Sequence, residues 1–147
     1  MITPFNDEYF MKAAFAEALK AFNEGEVPVG GVVVAGGKII ARVHNLTETL
    51  NDVTAHAEMQ AITAAANMLG GKYLDDCTLY ITLEPCVMCA AALSLAHIGR
   101  VVFGATDEKR GYSLVSNDIM HPKTRITRGI MEDESSELIR DFFRHKR

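Results

Sequence analysis

Two short motifs contain the residues of this sequence that could bind a metal ion. His56 and Glu58 lie two apart in "TAHAE" (54–58), and Cys86 and Cys89 lie three apart in "PCVMC" (85–89). A Cys-x-x-Cys pair by itself fits a redox dithiol, half of a structural zinc site or part of a catalytic one. A catalytic zinc site uses three protein ligands and keeps its fourth position for water. Together the motifs favour a catalytic Zn²⁺ site formed by His56, Cys86 and Cys89.

Glu58 is the candidate proton carrier of this site. A zinc ion held by two thiolates and a neutral imidazole lowers the pKa of its water toward about 7. Glu58 needs no bond to the metal, because its role would be to take a proton from that water and deliver it to the substrate. The alternative interpretation is a core histidine and an exposed helical glutamate. That is the commoner outcome for either residue in isolation, but it leaves the second motif without a role.

The remaining cysteine and histidines are expected outside this site. Cys77 opens a predicted strand, where a buried structural thiol is the common outcome. The other histidines have no partner at ligand spacing, so surface or packing roles are expected for His44, His97, His121 and His145. Three cysteines are an odd count for a disulfide framework, and a close pair in a reducing compartment is more often a metal or redox site.

Length and composition limit the class of protein. A chain of 147 residues with 48% hydrophobic content fits one globular domain, residues 1–147. No apolar run approaches the ~20 residues that span a bilayer, and "MITPFNDEYF" lacks the features of a secretory signal, so we expect a cytoplasmic protein. The formal charge of -4 argues against bulk attraction to nucleic acid. The C-terminal "RDFFRHKR" could contact a polyanion locally or form a solvated last helical turn.

The hydrophobic pattern predicts alternating helices and strands. Helices are expected at about 7–23, 54–69 and 85–97, and a last helix from about 132. A hairpin is expected to turn at Gly36-Gly37. Further strands are expected at 77–83, 100–105 and 125–130. Strands that alternate with helices imply right-handed crossovers and a sheet covered on both faces. We therefore predict an α/β three-layer sandwich with a mixed, roughly five-stranded sheet. Residues 106–124 are the least regular part, of the kind that often carries substrate specificity.

The third helix would present both thiols together. Pro85 suits the first turn of a helix, so Cys86 and Cys89 would project from one face near its N-terminus. There the helix dipole and free N–H groups lower thiol pKa values and favour thiolates.

The motifs and their surroundings resemble one family. H-x-E followed by P-C-x-x-C is a signature of zinc-dependent nucleobase deaminases. "EVPVGGVVV", "TAHAE", "LYITLEPCVMCAAAL", "IGRVVFGA" and "DFFR" are similar to segments of the bacterial tRNA-specific adenosine deaminases, which convert the anticodon wobble adenosine to inosine. This resemblance implies the cytidine-deaminase α/β fold, one zinc per subunit, a homodimer and a tRNA anticodon stem-loop as partner.

The resemblance also implies roles for individual residues. His56, Cys86 and Cys89 would bind zinc, and Glu58 would transfer protons. The main-chain N–H groups of Ala57 and Glu58 would face the reacting C6 substituent. The expected substrate contacts are Asn45 at the base or its ribose, Pro28 and Val29 along the base pocket, and Phe142 and Phe143 near the RNA. Val53 replaces a proline common in this family, and residues 106–124 depart from its glycine- and alanine-rich pattern with an Asn-His pair.

Two alternatives to a tRNA deaminase remain at this point. The same metal site could deaminate a free nucleobase or nucleoside, such as guanine or cytosine. A structural zinc or RNA-binding module without catalysis is the other possibility, and it requires a fourth protein ligand on zinc.

Overall fold

A mixed sheet of five strands forms the centre of the molecule, and its spatial order is β2-β1-β3-β4-β5. The computed structural model describes residues 5–145. The strands are β1 Gly30–Ala35, β2 Lys38–His44, β3 Cys77–Leu83, β4 Arg100–Ala105 and β5 Arg125–Arg128. β1 runs antiparallel to both β2 and β3, whereas β3, β4 and β5 are parallel to one another. The predicted mixed sheet with an antiparallel edge hairpin is confirmed.

Four helices cover the two faces of the sheet. They are α1 Asp7–Asn23, α2 Ala57–Leu69, α3 Val87–Leu95 and α4 Glu132–His145. One core contains side chains of α2 and α3 packed against alternate residues of β3 and β4, such as Leu79 and Val101. A second core on the opposite face joins α1 to the intervening residues, such as Tyr80 and Val102. This alternation follows the two-residue period of a strand and produces the predicted three layers.

Local signals in the sequence determine where several elements begin and end. Asn6 caps α1, since its side-chain oxygen accepts a hydrogen bond from the Tyr9 N–H at 2.9 Å. Gly36 and Gly37 both have positive φ angles, as a two-residue hairpin turn requires. Gly70 ends α2 in the left-handed conformation. Within residues 5–145, none of the helices combines the length and apolar character needed to cross a bilayer.

Candidate metal centre and substrate cavity

The two sequence motifs span the N-termini of two neighbouring helices on the same face of the sheet. His56 is the N-cap residue of α2 and Cys86 is the N-cap residue of α3; both have extended backbones, with ψ angles of 155° and 174°. The expected helix starts at 54 and 85 are therefore wrong, and Pro85 lies outside its helix. The N-terminal ends of the two helices lie side by side.

Local hydrogen bonds explain why both helices start late. The Asp52 carboxylate accepts hydrogen bonds at 2.8 Å from the N–H and the hydroxyl of Thr54, which holds the residues before α2 in a turn. Cys86 forms an isolated antiparallel bridge with Gly111, which holds it in an extended conformation. His56 and Cys86 are consequently placed just ahead of their helices, where their side chains make no capping hydrogen bond, whereas Cys89 lies in the first turn of α3.

His56, Cys86 and Cys89 come together in the geometry of a metal site. The His56 Nδ1 atom lies 3.6 Å from the Cys86 Sγ atom and 3.4 Å from the Cys89 Sγ atom. Tetrahedral zinc with ordinary Zn–S and Zn–N bonds places such ligand atoms about 3.6 Å apart. Across residues 5–145, this is the one cluster of three or more His, Cys, Asp or Glu residues whose ligand atoms all lie within 4.8 Å of one another. The residues present therefore fit a zinc ion with three protein ligands.

The three ligand side chains share protons when no cation is bound. Hydrogen bonds from the Cys89 thiol and from His56 lower the pKa of Cys86 to about 4. The hydrogen bond to the Cys86 thiolate, together with burial, raises the pKa of the Cys89 thiol. That same thiolate raises the pKa of His56. A dication would replace these shared protons with its own charge, so metal binding releases protons.

Glu58 lies beside these ligands and is almost completely buried. Burial raises the pKa of Glu58 to about 7, although its own backbone N–H and the charge of His56 act in the opposite direction. A carboxyl group with a pKa near neutrality can both accept and donate a proton at physiological pH. A nearby dication would lower this pKa by favouring the carboxylate. Glu58 does not belong to the cluster of ligand atoms, as expected for a proton carrier.

One cavity of about 1010 Å³ opens onto the metal site and extends to α4. Its floor includes His56, Glu58 and Asn45, and α4 contributes Arg140 and Phe143 to its wall. This volume lies at the upper end of the ~300–1,000 Å³ typical of sites for small ligands. The residues that line it are Val27, Val29, Asn45, Thr47, His56, Ala57, Glu58, Leu83, Glu84, Cys86, Ala105, Thr106, Asp107, Glu108, Lys109, Arg110, Ser136, Ile139, Arg140, Phe143 and Arg144.

Asn45 offers a free hydrogen-bond acceptor at this cavity. Its amide nitrogen donates to the Val27 carbonyl at 3.4 Å, whereas its Oδ1 atom is buried without a partner in the structure. A buried polar atom without a partner costs stability, and a ligand can supply the missing hydrogen bond. Asn45 therefore has the chemistry expected of a residue that binds substrate.

The structure brings most of the expected substrate contacts together and excludes two of them. Val29, Ala57 and Phe143 line the cavity. Pro28 is buried and does not line it, because side chains alternate along an extended segment and Val27 and Val29 face the cavity instead.

Phe142 is the second exception. It is buried against Phe22 of α1, with ring centroids 5.9 Å apart, whereas the next residue of α4 faces the cavity. Consecutive helical residues point about 100° apart, so the two phenylalanines cannot share one face. The expected RNA contact at Phe142 is corrected to a packing role. Of the basic C-terminal residues, Lys146 and Arg147 lie outside the described part of the chain.

Several cavity residues were missed by the sequence analysis. Glu84 is buried at the end of β3, and Arg110 and Arg140 add positive charge to the cavity wall. A glutamate directly after the apolar run "LYITL" was a signal that a buried carboxylate required partners. Arg110 and Arg140 had no such signal, because exposed arginines are common on any protein surface.

Comparison with known proteins identifies relatives of this chain. Residues 4–105 match the model for the cytidine and deoxycytidylate deaminase zinc-binding region. A tRNA-specific adenosine deaminase of Aquifex aeolicus is 47% identical over 95% of both chains. A solved structure described in work on A-to-I editing by tRNA:A34 deaminases at the wobble position is 43% identical, with a TM-score of 0.82 over 88% of this chain and 98% of that one. A guanine deaminase from Bacillus subtilis is 39% identical, with a TM-score of 0.68 over 80% and 78%.

Proposed function

Because this chain belongs to the cytidine and deoxycytidylate deaminase zinc-binding family, and within it to the tRNA-specific adenosine deaminases, we propose that it converts the wobble adenosine of a tRNA anticodon to inosine. The observation that carries this proposal is a single cavity that joins a three-ligand metal site and Glu58 to the basic and aromatic residues of α4. The reaction adds one water at C6 of adenine and releases one ammonia.

The residues around the cavity have separate tasks in this reaction. When bound, zinc supplies the charge that lowers the pKa of water toward about 7. Glu58 accepts one proton from the attacking water and delivers it to the ring nitrogen beside C6. It then takes the remaining proton of the added oxygen and delivers it to the departing amine, so C6 keeps the oxygen and ammonia leaves. The N–H of Ala57, at the first turn of α2, faces the C6 substituent, and Asn45 accepts a hydrogen bond from the base or its ribose. Val29 packs against the base.

The size of the cavity and its exposed cations favour RNA over a free base. A base occupies only part of about 1010 Å³. Lys109, Arg110, Arg140 and Arg144 line the cavity with exposed side chains, whereas two of its four acidic residues, Glu58 and Glu84, are buried. Cations bind phosphates, and Phe143 offers a ring for stacking a flanking base. The anticodon loop is single-stranded, so presenting its base to the site requires little unstacking energy.

An ammonia assay separates this function from deamination of free bases. The zinc-loaded protein is incubated with an RNA hairpin carrying adenosine at the wobble position, and separately with guanine, cytosine and adenosine. We expect ammonia and inosine from the hairpin, and none from a control hairpin with guanosine at that position. Ammonia from the free bases alone would overturn the proposal.

We also propose that the protein is a homodimer that uses the outer face of α3. This helix contains no charged residue, and Val87, Ala91 and Leu95 are exposed at consecutive turns along one face. Leu95 is 78% exposed, and with Val87 and Ala91 it forms an apolar stripe of the kind that marks protein–protein contact. Sedimentation should give twice the chain mass for the wild type and a lower mass for Leu95→Glu. A wild-type mass of one chain at micromolar concentration would exclude the dimer.

We propose that the enzyme acts in the cytoplasm, for two reasons. Cys86 and Cys89 must remain reduced to bind zinc, and a reducing compartment keeps them so. The proposed tRNA substrate is used in the same compartment.

A further inference from the structure

Glu84 is a buried carboxylate beside the metal ligands that the proposed reaction does not use. It is 2% exposed and stands two residues before Cys86. One carboxylate oxygen accepts a hydrogen bond from the Asp107 N–H at 3.1 Å. The other accepts hydrogen bonds from the Ser113 N–H at 3.0 Å and from the Ser113 hydroxyl at 2.6 Å. All three donors belong to one segment, residues 106–113, which we call the anchored loop.

Further contacts fix the anchored loop to the same stretch of chain. The Tyr112 N–H donates to the Pro85 carbonyl at 3.0 Å, and Gly111 forms the bridge with Cys86. A Cβ atom added to Gly111 would lie 2.5 Å from the Glu84 carboxylate, so only glycine permits this close approach. The loop is therefore positioned by residues 84–86, which include a metal ligand.

The inner part of the anchored loop is a tight turn that carries two cations. The Asp107 carboxylate accepts hydrogen bonds from the backbone N–H groups of Lys109 and Arg110, both at 3.0 Å. The side chains of Lys109 and Arg110 are exposed and line the cavity that contains Glu58. Glu108 is exposed on the same turn and also lines the cavity.

We propose that Glu84 is a positioning residue that holds the anchored loop over the metal centre, so that Lys109 and Arg110 contact phosphates next to the reacting nucleotide. This inference rests on the proposed function and deepens it by naming the elements that bind the RNA backbone. Backbone N–H groups make the turn itself, so alanine at 109 or 110 removes a cation and leaves the turn intact. Glutamine at 84 keeps the shape of glutamate but loses an acceptor, because its amide nitrogen faces an N–H donor.

The test is the salt dependence of RNA binding by the zinc-loaded full chain. The probe is an RNA hairpin with adenosine at the wobble position. Each phosphate contact to a single strand contributes a slope of about 0.7 to the logarithm of affinity against the logarithm of salt concentration. The Lys109→Ala/Arg110→Ala double variant should lose about 1.4 of that slope. Glu84→Gln should lose a similar amount, with KM raised about tenfold and kcat changed less than KM.

Glu26→Gln is the matched control, because it makes the same chemical change at another buried carboxylate. Glu26 anchors residues 47–49, which contain no cation, so this variant should keep the wild-type salt slope. Ser113→Ala removes one of three donors from Glu84 and should raise KM less than Glu84→Gln does. It also provides a test if Glu84→Gln fails to fold.

Two outcomes would overturn the inference. The first is a wild-type salt slope in the double variant. The second is a loss of thermal stability in Glu84→Gln while the salt slope and KM stay at their wild-type values. If Glu84→Gln does not fold, the same result in Ser113→Ala has this meaning. Either result leaves the proposed function standing if the wild-type protein converts the hairpin. Failure of the wild type to convert the hairpin overturns the function itself.

Discussion

Glu58 and Glu26 are both buried carboxylates, yet their surroundings differ. Glu26 accepts hydrogen bonds from the N–H and the hydroxyl of Thr49, both at 2.6 Å, and from the Glu48 N–H at 3.0 Å. Burial alone would raise its pKa, but these hydrogen bonds outweigh burial and lower it. Glu58 has no comparable set of donors, so burial dominates and its pKa rises to about 7.

The difference shows that the balance between burial and hydrogen-bond donors sets the pKa of a buried carboxylate and, with it, the role that the carboxylate can play. A carboxylate that is surrounded by donors stays charged and holds a loop in place. A buried carboxyl group with few donors has its pKa raised by burial and can exchange protons near neutral pH. Glu26 belongs to the first class and Glu58 to the second, and Glu84 resembles Glu26 in that its hydrogen-bond donors come from one loop. This division can be tested by perturbing each type in turn.

Removal of the metal should have the largest effect on activity. Chelation should abolish inosine formation, because Glu58 then has no activated water from which to take a proton. The two hydrophobic cores are formed by other residues, so circular dichroism should show that the helices and strands persist. Added zinc should restore activity. A protein that unfolds on chelation would instead indicate a structural zinc module, and the contrast between Glu58 and Glu26 would lose its functional meaning.

Glu58→Gln should reduce the rate of deamination by about a thousandfold, within the usual range for the loss of a general acid and base. Zinc content should remain at one ion per chain, because Glu58 does not belong to the ligand cluster. Glu108→Gln is the matched control, since it changes an exposed glutamate that lines the same cavity. Single-turnover inosine formation and metal analysis measure both effects. A Glu58→Gln rate within tenfold of the wild type would remove Glu58 from the mechanism.

Glu26→Gln should affect stability and leave chemistry largely intact. Glutamine cannot accept all the hydrogen bonds that Glu26 receives, and an unsatisfied buried donor costs about 1–3 kcal/mol. Urea unfolding should therefore show a loss of about 2 kcal/mol. Glu48→Gln is the control, because its exposed side chain changes while its backbone donor to Glu26 remains. Unchanged stability in Glu26→Gln would mean that the surrounding donors do not determine the behaviour of this carboxylate.

The sequence was sufficient to predict the elements from their periodicity and the metal ligands from two short motifs. Periodicity and the Gly36-Gly37 turn identify the sheet, and the residue types of the two motifs fit zinc although His56 and Cys86 lie 30 positions apart. Contacts between distant residues that carry no such motif were not predictable. The hydrogen bonds from Ser113 to Glu84 join residues 29 positions apart.

Sequence patterns also could not predict the direction in which individual side chains point. Phe142 and Phe143 are the same residue type in adjacent positions, and the packing partner Phe22 decides which of them faces inward. The late start of α2 depends in the same way on the side chain of Asp52, whose hydrogen bonds to Thr54 compete with a helical turn. Such choices are settled by tertiary contacts, not by composition or period.

Titration with pH should distinguish the two carboxylates by opposite signs. The pKa of Glu26 is lowered from its ordinary value of 4.5, so its stabilisation is complete above pH 4.5 and is lost as pH falls through the folded-state pKa. The stability difference between wild type and Glu26→Gln should therefore shrink in acid. The pKa of Glu58 is raised from 4.5 to about 7, so metal-free protein should lose stability as pH rises between these values. Glu58→Gln should flatten that second slope. Urea unfolding across this pH range measures both changes in stability. Parallel pH profiles for Glu26→Gln and Glu58→Gln would show that the pKa values of the two carboxyl groups do not shift in opposite directions.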